Sequence, residues 1–242
     1  MINATTFYKK EIKSMRKKKL IAVTMTFVMV LSLCFPNLAS VKAATKKSTS
    51  KKWAAAYMKI IKKLNKEDKA REKNEYNSKD YYTYSLIYFN NDSIPELVVG
   101  LDGYWVSMYT YDKSKKKVYT VMDRWAYGAG GNAGYSYLPK NNVLYNTNSD
   151  YAGAVYYTYY AKMNNHKIVC RYSKSLKVQY FKDKNNNGYP DAGEYMDTPY
   201  YYYGDKKISK KKFDSYGFSG TYKMIKGSSS YKKMKKKLSA KM

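Results

Sequence analysis

Tyr82-Thr83-Tyr84-Ser85-Leu86-Ile87-Tyr88-Phe89 runs into the turn cluster Asn90-Asn91-Asp92-Ser93, and Glu96-Leu97-Val98-Val99-Gly100-Leu101 follows. Tyr82, Tyr84, Leu86 and Tyr88 alternate with Thr83, Ser85, Ile87 and Phe89. That period of two belongs to a strand, and the apolar run after the turn reads as a second one. The spacing predicts further strands at 105–111 and 118–125, joined by the short loop 112–117. A Gly-rich loop at 128–134 follows and reads as mobile. Shorter strands are expected at 135–138, 143–146, 154–163, 167–172 and 177–181, with turn residues at 139–142, 148–153 and 164–165 between them. Regular short strands with such turns predict an antiparallel meander, either a curved sheet or a sandwich.

Upstream, Trp53, Tyr57, Ile60, Ile61 and Leu64 fall at helical spacing with Lys59, Lys62 and Lys63 between them, so residues 53–64 predict an amphipathic helix. The charged residues 65–79 finish it. Downstream, Ser209 has the position of an N-cap for a short helix through Tyr216, and residues 231–238 fit a last helix with a Lys-dominated face. The fold class is therefore mainly β with flanking α: an N-terminal helix packed on the meander, and short C-terminal helices.

The first 43 residues have another purpose. Arg16 to Lys19 form a positive cluster, residues 20–34 are apolar or small, Pro36 breaks any helix, and Val41-Lys42-Ala43 offers small residues for cleavage. This order is that of a secretory signal peptide, with residues 1–14 as an upstream extension. Its apolar run of 15 residues is short beside the ~20 of a spanning helix. The expected organisation is a signal peptide to residue 43, a flexible Lys/Ser/Thr leader at 44–52, one helix-plus-β domain at 53–226 and a Lys-rich segment at 227–242. The protein is expected outside the cytoplasm, and contact with a membrane is expected only if the signal segment stays uncleaved.

The whole chain carries 46 Lys and Arg against 18 Asp and Glu. Cleavage after Ala43 removes eight basic residues and one acidic residue, and leaves a net charge of +21. A charge of this sign attracts polyanions. Nucleic acid is not an expected partner of an exported protein. An anionic cell-wall polymer such as teichoic acid, or a polysaccharide, is. The excess is nearly all Lys, a hydrated point charge less suited than Arg to bidentate anion recognition, so the attraction reads as diffuse. Cys170 is the one cysteine after residue 43, which leaves no intramolecular disulfide and puts the burden of stability on the core or a metal.

A metal candidate is present. Residues 183–194 read Asp-Lys-Asn-Asn-Asn-Gly-Tyr-Pro-Asp-Ala-Gly-Glu, which satisfies the calcium-loop pattern D-x-[DN]-x-[DN]-G-x5-E. Asp183, Asn185 and Asn187 would supply side-chain oxygens, Gly188 the sharp turn, Tyr189 its carbonyl, Asp191 a direct or water-mediated ligand, and Glu194 two closing oxygens. Calcium is the expected ion, at a weak extracellular affinity. The competing reading is an Asn/Gly turn bonded to its own backbone. Asn90, Asp92 and Glu96 form a second, degraded candidate, read mainly as a turn between paired strands. The strand at 84–88, this turn and the Ile94-Pro95-Glu96-Leu97-Val98 that follows resemble uncharacterised secreted proteins of clostridia, which carry an aspartate-rich turn before I-P-E-L-V. That turn resembles calcium-binding strand-turn units of the FG-GAP type, and the resemblance implies a secreted protein with a strand-turn calcium site.

The chain holds 31 tyrosines. Tyrosine suits a half-buried strand face whose hydroxyl stays wet. Exposed rows can also stack on sugar rings, and Tyr200, Tyr201, Tyr202 and Tyr203 form the densest cluster, so a carbohydrate-binding module is the alternative function. Catalysis is not expected. The single histidine, His166, has only Cys170 as a neighbouring nucleophile. No H-E-x-x-H, G-x-S-x-G or phosphate-loop pattern occurs. Asp102, Asp123 and Asp150 could serve a glycoside hydrolase only if two of them faced each other across a cleft. The leading expectation is a secreted, non-catalytic, calcium-binding protein held near the cell wall by charge.

Overall fold

The structure is a computed structural model that describes residues 38–74 and 81–242. The export signal read at residues 15–43 lies outside these residues as far as position 37. Contacts group Thr49–Met242 into one compact unit, while residues 38–48 fall with the N-terminal unit. Helix α1 spans Leu38–Asn74, longer at both ends than its amphipathic stretch. It takes in the 44–52 segment, expected as a flexible leader, because no Gly or Pro interrupts residues 38–74 and even a run of Lys, Ser and Thr costs a helix only roughly a few tenths of a kcal/mol per residue beside alanine. Among the described residues no helix is long and apolar enough to cross a membrane.

Four strands follow as one antiparallel sheet: β1 (Thr83–Ile87), β2 (Glu96–Leu101), β3 (Trp105–Asp112) and β4 (Lys117–Ala126) in that order. The period of two seen at 82–89 sends residues to opposite faces. One face packs on helices: Trp53, Tyr57, Ile61 and Leu64 meet Tyr84, Leu97, Val99 and Tyr111. The other presents Ile87, Val98, Val106, Met108 and Met122 to a second sheet, which contributes Tyr137, Leu144 and Ala161. A sheet covered on both faces needs an apolar central strand, and five of the six residues of β2 are buried. Tyr57 ties the layers together: its hydroxyl lies 3.0 Å from the Pro95 carbonyl and 3.2 Å from that of Tyr109. At the far end of α1, Asp68 accepts hydrogen bonds from Arg71 (3.2 Å) and from the Tyr82 amide (3.1 Å), which fixes the entry to β1.

The second sheet holds eight strands: β5 (Asn132–Leu138), β6 (Val143–Asp150), β7 (Val155–Asn164), β8 (Lys167–Cys170), β9 (Leu176–Phe181), β10 (Tyr195–Tyr203), β11 (Lys206–Ile208) and β12 (Lys223–Met224). Its path is β11-β10-β9-β7-β6-β5-β12, and β8 shares the β7 edge with β9. The meander is antiparallel throughout, as expected. The Gly-rich loop is pinned rather than loose: the Gly128 amide donates to Asn132 O (2.7 Å) and the Ser149 amide to Gly131 O (3.0 Å). A Cβ at Gly131, where φ is +78°, would collide with the Ser149 carbonyl, so only glycine lets this loop close on β6.

The C-terminal residues belong to the fold. Helix α2 (Lys210–Asp214) starts at Ser209, whose side chain accepts from the Lys212 amide as the sequence predicted. Helix α3 (Tyr231–Ser239) is capped the same way by Ser230. The Lys-rich segment at 227–242 is not an appendage: Met234 and Leu238 are buried in the same cluster as Trp53 and Ile61, and the Tyr84 amide donates to Ser229 O at 2.9 Å. Lys232, Lys233, Lys235, Lys236 and Lys237 remain exposed.

Candidate functional site: an aromatic groove beside two polar turns

The 183–194 loop is a turn bonded to its own backbone and side chains. Asp183 accepts from the amides of Asn187 (3.2 Å) and Gly188 (2.9 Å), and Gly188 turns the chain at φ +81°. Asn185 and Asn187 both point their amide nitrogens at one oxygen of Asp191, each at 2.8 Å. Three of the expected ligands thus converge on one point. Glu194 is buried and closes the loop, but onto backbone: its oxygens accept from the amides of Lys184 (2.8 Å) and Asp191 (3.2 Å). Tyr189 is exposed, its ring edge-on to Tyr151. Among the described residues no group of three His, Cys, Asp or Glu side chains is placed to hold a metal ion.

The second candidate is a structural turn. Asn90 accepts from the Asp92 amide (2.9 Å) and Asp92 from the Ile94 amide (2.7 Å). Glu96 points inward, fully buried, and accepts from the Phe89 amide (2.9 Å) and the Thr110 hydroxyl (3.3 Å). Burial raises its carboxyl to about 7, with the Phe89 hydrogen bond opposing and the Asp92 charge adding. A neighbouring polar cleft of about 590 Å³ is lined by Asp92, Asp112 and His166, among others. His166 stacks on Tyr119 with ring centroids 3.9 Å apart and lies 3.2 Å from Asp112. The Ser114 hydroxyl, then the Lys115 amide, hold the Asp112 carboxyl at about 2. Ser114 bonds the carboxylate at 2.6 Å rather than the imidazole, so these three residues do not form a nucleophile–base–orienter chain. His166 lies in the turn before β8 and faces Tyr119 and Asp112, while Cys170 is the last residue of β8, about 10 Å of extended strand from Lys167, so they do not pair either. Of the carboxylates considered for hydrolysis, Asp102 accepts from the Tyr127 hydroxyl (2.9 Å) and Asp150 caps a 3-10 turn.

Tyr200 to Tyr203 do not form one exposed row. All four are half-buried and alternate between the faces of β10. Tyr201 packs on Phe213, and Tyr203 stacks on Tyr216 with centroids 4.9 Å apart. Tyr200 and Tyr202 face the other way, each beneath a lysine: Lys207 Nζ is 3.2 Å from the Tyr200 ring centroid, and Lys177 Nζ is 4.4 Å from that of Tyr202.

The groove that does expose aromatic rings lies elsewhere. It encloses about 490 Å³, with Trp125 from β4, Tyr135 from β5, Asn146 and Asn148 from β6 and Tyr157 and Tyr159 from β7. Trp125 meets Tyr135 edge-on at 5.3 Å. The registers Tyr135↔Asn146↔Tyr159 and Asn148↔Tyr157 put these side chains on one face of the second sheet. That face is buried at Tyr137, Leu144 and Ala161, where the first sheet covers it, and opens toward Tyr157, which is 38% exposed. The fixed Asn132 supports the groove floor: its side-chain oxygen accepts from Asn146 Nδ2 (2.8 Å), and its own amide reaches Ala126 O (3.1 Å). The signal for this site was in the sequence, as aromatic and Asn residues two apart on adjacent strands, but recognising it requires the register. No family model, curated protein or solved structure matches the chain.

Proposed function

We propose that this is a secreted, non-catalytic protein that holds a polysaccharide chain in the aromatic groove, its basic surface drawing it to anionic polymers of the cell wall. The observation that carries this reading is the groove itself: it is lined by the aromatic residues Trp125, Tyr135, Tyr157 and Tyr159 together with Asn146 and Asn148. Aromatic rings pair with the C–H faces of sugar rings; the exposed Asn148 amide can both donate to and accept from ring hydroxyls, while Asn146, whose nitrogen is bonded to Asn132 and Gly134 at 2.8 Å each, offers its oxygen as an acceptor. A groove that is covered at Tyr137, Leu144 and Ala161 and opens toward Tyr157 suits a chain segment entering from the open side. The leader at residues 15–43 and the charge of the chain support an extracytoplasmic, wall-associated place.

Sedimentation with insoluble Gram-positive cell walls tests it. Trp125→Ala and Tyr157→Ala are each expected to weaken co-sedimentation at least tenfold, about 1.4 kcal/mol, with the melting temperature little changed for the exposed Tyr157. Binding that both variants retain would refute the groove.

Calcium at residues 183–194 is a second proposal, favoured by the convergence of Asn185, Asn187 and Asp191. Rotation of the two amides by a half-turn would aim two oxygens where two nitrogens now point, and would give up the bonds that those oxygens accept from the Asn187 (3.1 Å) and Tyr189 (2.8 Å) amides, so the ion must offset that loss. Asp183, the Tyr189 carbonyl and Glu194 would complete an oxygen set of the kind calcium takes. At millimolar calcium the melting temperature is expected to rise, and Asp191→Ala to abolish the rise. An unchanged melting curve would leave the loop as a self-bonded turn.

A further inference from the structure

One row of side chains crosses five strands of the second sheet. Asn148 of β6 pairs with Tyr157 of β7, Tyr157 with Lys177 of β9, Lys177 with Tyr202 of β10, and Tyr202 with Lys207 of β11. Residues directly paired across a sheet share a face, so all five project on the side where the groove opens. At about 4.8 Å per strand the row is about 19 Å long. The groove occupies its Asn148–Tyr157 end. The other end alternates tyrosine with lysine, and Lys174, which lines the groove, adds a third ammonium group.

The two halves of the row offer different chemistry. At Tyr157 the ring is exposed to a ligand. At Tyr202 and Tyr200 the rings are already faced by the ammonium groups of Lys177 and Lys207. A neutral sugar would have to displace those ammonium groups, and would lose the cation–π contacts without replacing the charge. An anionic substituent would pair with the ammonium groups while the tyrosines hold their stems in place. Lysine serves such a role as a point charge and does not demand one planar anion.

Resting on the groove reading, we propose that the row Asn148–Tyr157–Lys177–Tyr202–Lys207 binds an acidic glycan, with the sugar face on Tyr157 and Trp125 and the anionic substituents on Lys177, Lys207 and Lys174. Carboxylate on a uronic acid and phosphate on a polyol-phosphate polymer share this chemistry. The row runs perpendicular to the strands, so the polymer crosses them.

Affinity is measured at moderate salt with three probes: polygalacturonate, its carboxyl-reduced neutral form, and lipid-free glycerol-phosphate teichoic acid. Three proteins are compared: the wild type, Lys177→Gln/Lys207→Gln, and a control with Lys232, Lys233, Lys235 and Lys236 of α3 changed to Gln. Wild type is expected to bind at least one acidic polymer tenfold or more tighter than the neutral form. The double variant is expected to lose that preference, and the α3 control to keep most of it. Whichever acidic polymer shows the preference names the source of the anion. Equal loss in the double variant and the α3 control would show diffuse attraction by any lysines and overturn the row. Equal wild-type affinity for the neutral and acidic forms would overturn it too, while leaving the groove intact. Failure of the wild type to bind any of the three polymers would overturn the row, and unchanged cell-wall sedimentation of the Tyr157→Ala variant would separately remove the groove on which it rests.

Discussion

Glu96 places a carboxyl group at the start of β2, an inner strand of the four-stranded sheet, out of contact with solvent. Asn90, Asp92 and Glu96 read as a degraded ligand set because sequence gives residue types and not directions. In the structure Glu96 turns inward and anchors the β1–β2 turn through the Phe89 amide. Its pH behaviour follows. Burial raises the folded-state carboxyl to about 7, above its ordinary value of 4.5. Between those two values the folded state holds the proton more tightly than the unfolded one, so stability from this group is full below about pH 4.5 and falls as pH rises through 7. The contribution lost is about 3 kcal/mol. Glu96→Gln keeps an oxygen to accept from the Phe89 amide, presents its NH2 to the Thr110 hydroxyl, which can turn to accept, and removes the ionisation. Denaturant melts across pH 4.5 to 8 are therefore expected to show a shallower decline for the variant than for the wild type. Equal slopes would place the pH dependence elsewhere.

At the scale of elements, most strands were legible because their period of two survives in sequence. β2 is legible from its apolar run, and β1 from the alternation of Tyr and Thr/Ser. β10 was missed: Pro199 stands directly before its run of tyrosines, and a residue without an amide hydrogen argues against a ladder. The register between β9 and β10 shifts between Tyr195 and Tyr200, so the strand accommodates the proline at an irregularity. The same strand explains why four consecutive tyrosines are not one site, since neighbours in a strand face opposite ways. The α1 boundaries were misjudged because amphipathic spacing marks only the packed part of a helix. α3 was legible as a helix, but its docking was not. Met234 and Leu238 are two apolar residues among lysines, and only contact with Trp53 and Ile61 makes them core. Leu238→Ala is expected to cost about 2–5 kcal/mol, the range for emptying a buried leucine site. A loss below about 0.5 kcal/mol in a chemical melt would mean that the Lys-rich end is a tail.

For the whole molecule, three layers share the chemistry unevenly. Helices α1 and α3 cover one face of the first sheet and present lysines outward. The first sheet is buried on both sides and supplies stability. The second sheet is half covered, and its uncovered half holds the groove and the lysine–tyrosine row. Net charge was readable from composition alone, and so was the abundance of tyrosine. What composition could not supply was which tyrosines face one another, because that depends on pairing between strands distant in sequence, such as Tyr157 with Lys177. Charge brings such a molecule to a polyanion from any direction, whereas the groove acts only on a ligand already in contact.

Those two contributions separate with salt. At about 1 M ionic strength the Debye length is about 3 Å and diffuse attraction is screened, while stacking on aromatic faces persists. The direct measurement is the affinity of the wild type, Trp125→Ala and Tyr157→Ala for soluble cell-wall polysaccharide at 0.1 M and 1 M salt. The groove account expects the wild type to weaken but still bind at 1 M, and both variants to lose that residual binding. Complete loss of wild-type binding at 1 M, with variants indistinguishable from wild type at 0.1 M, would contradict it and leave only a basic surface.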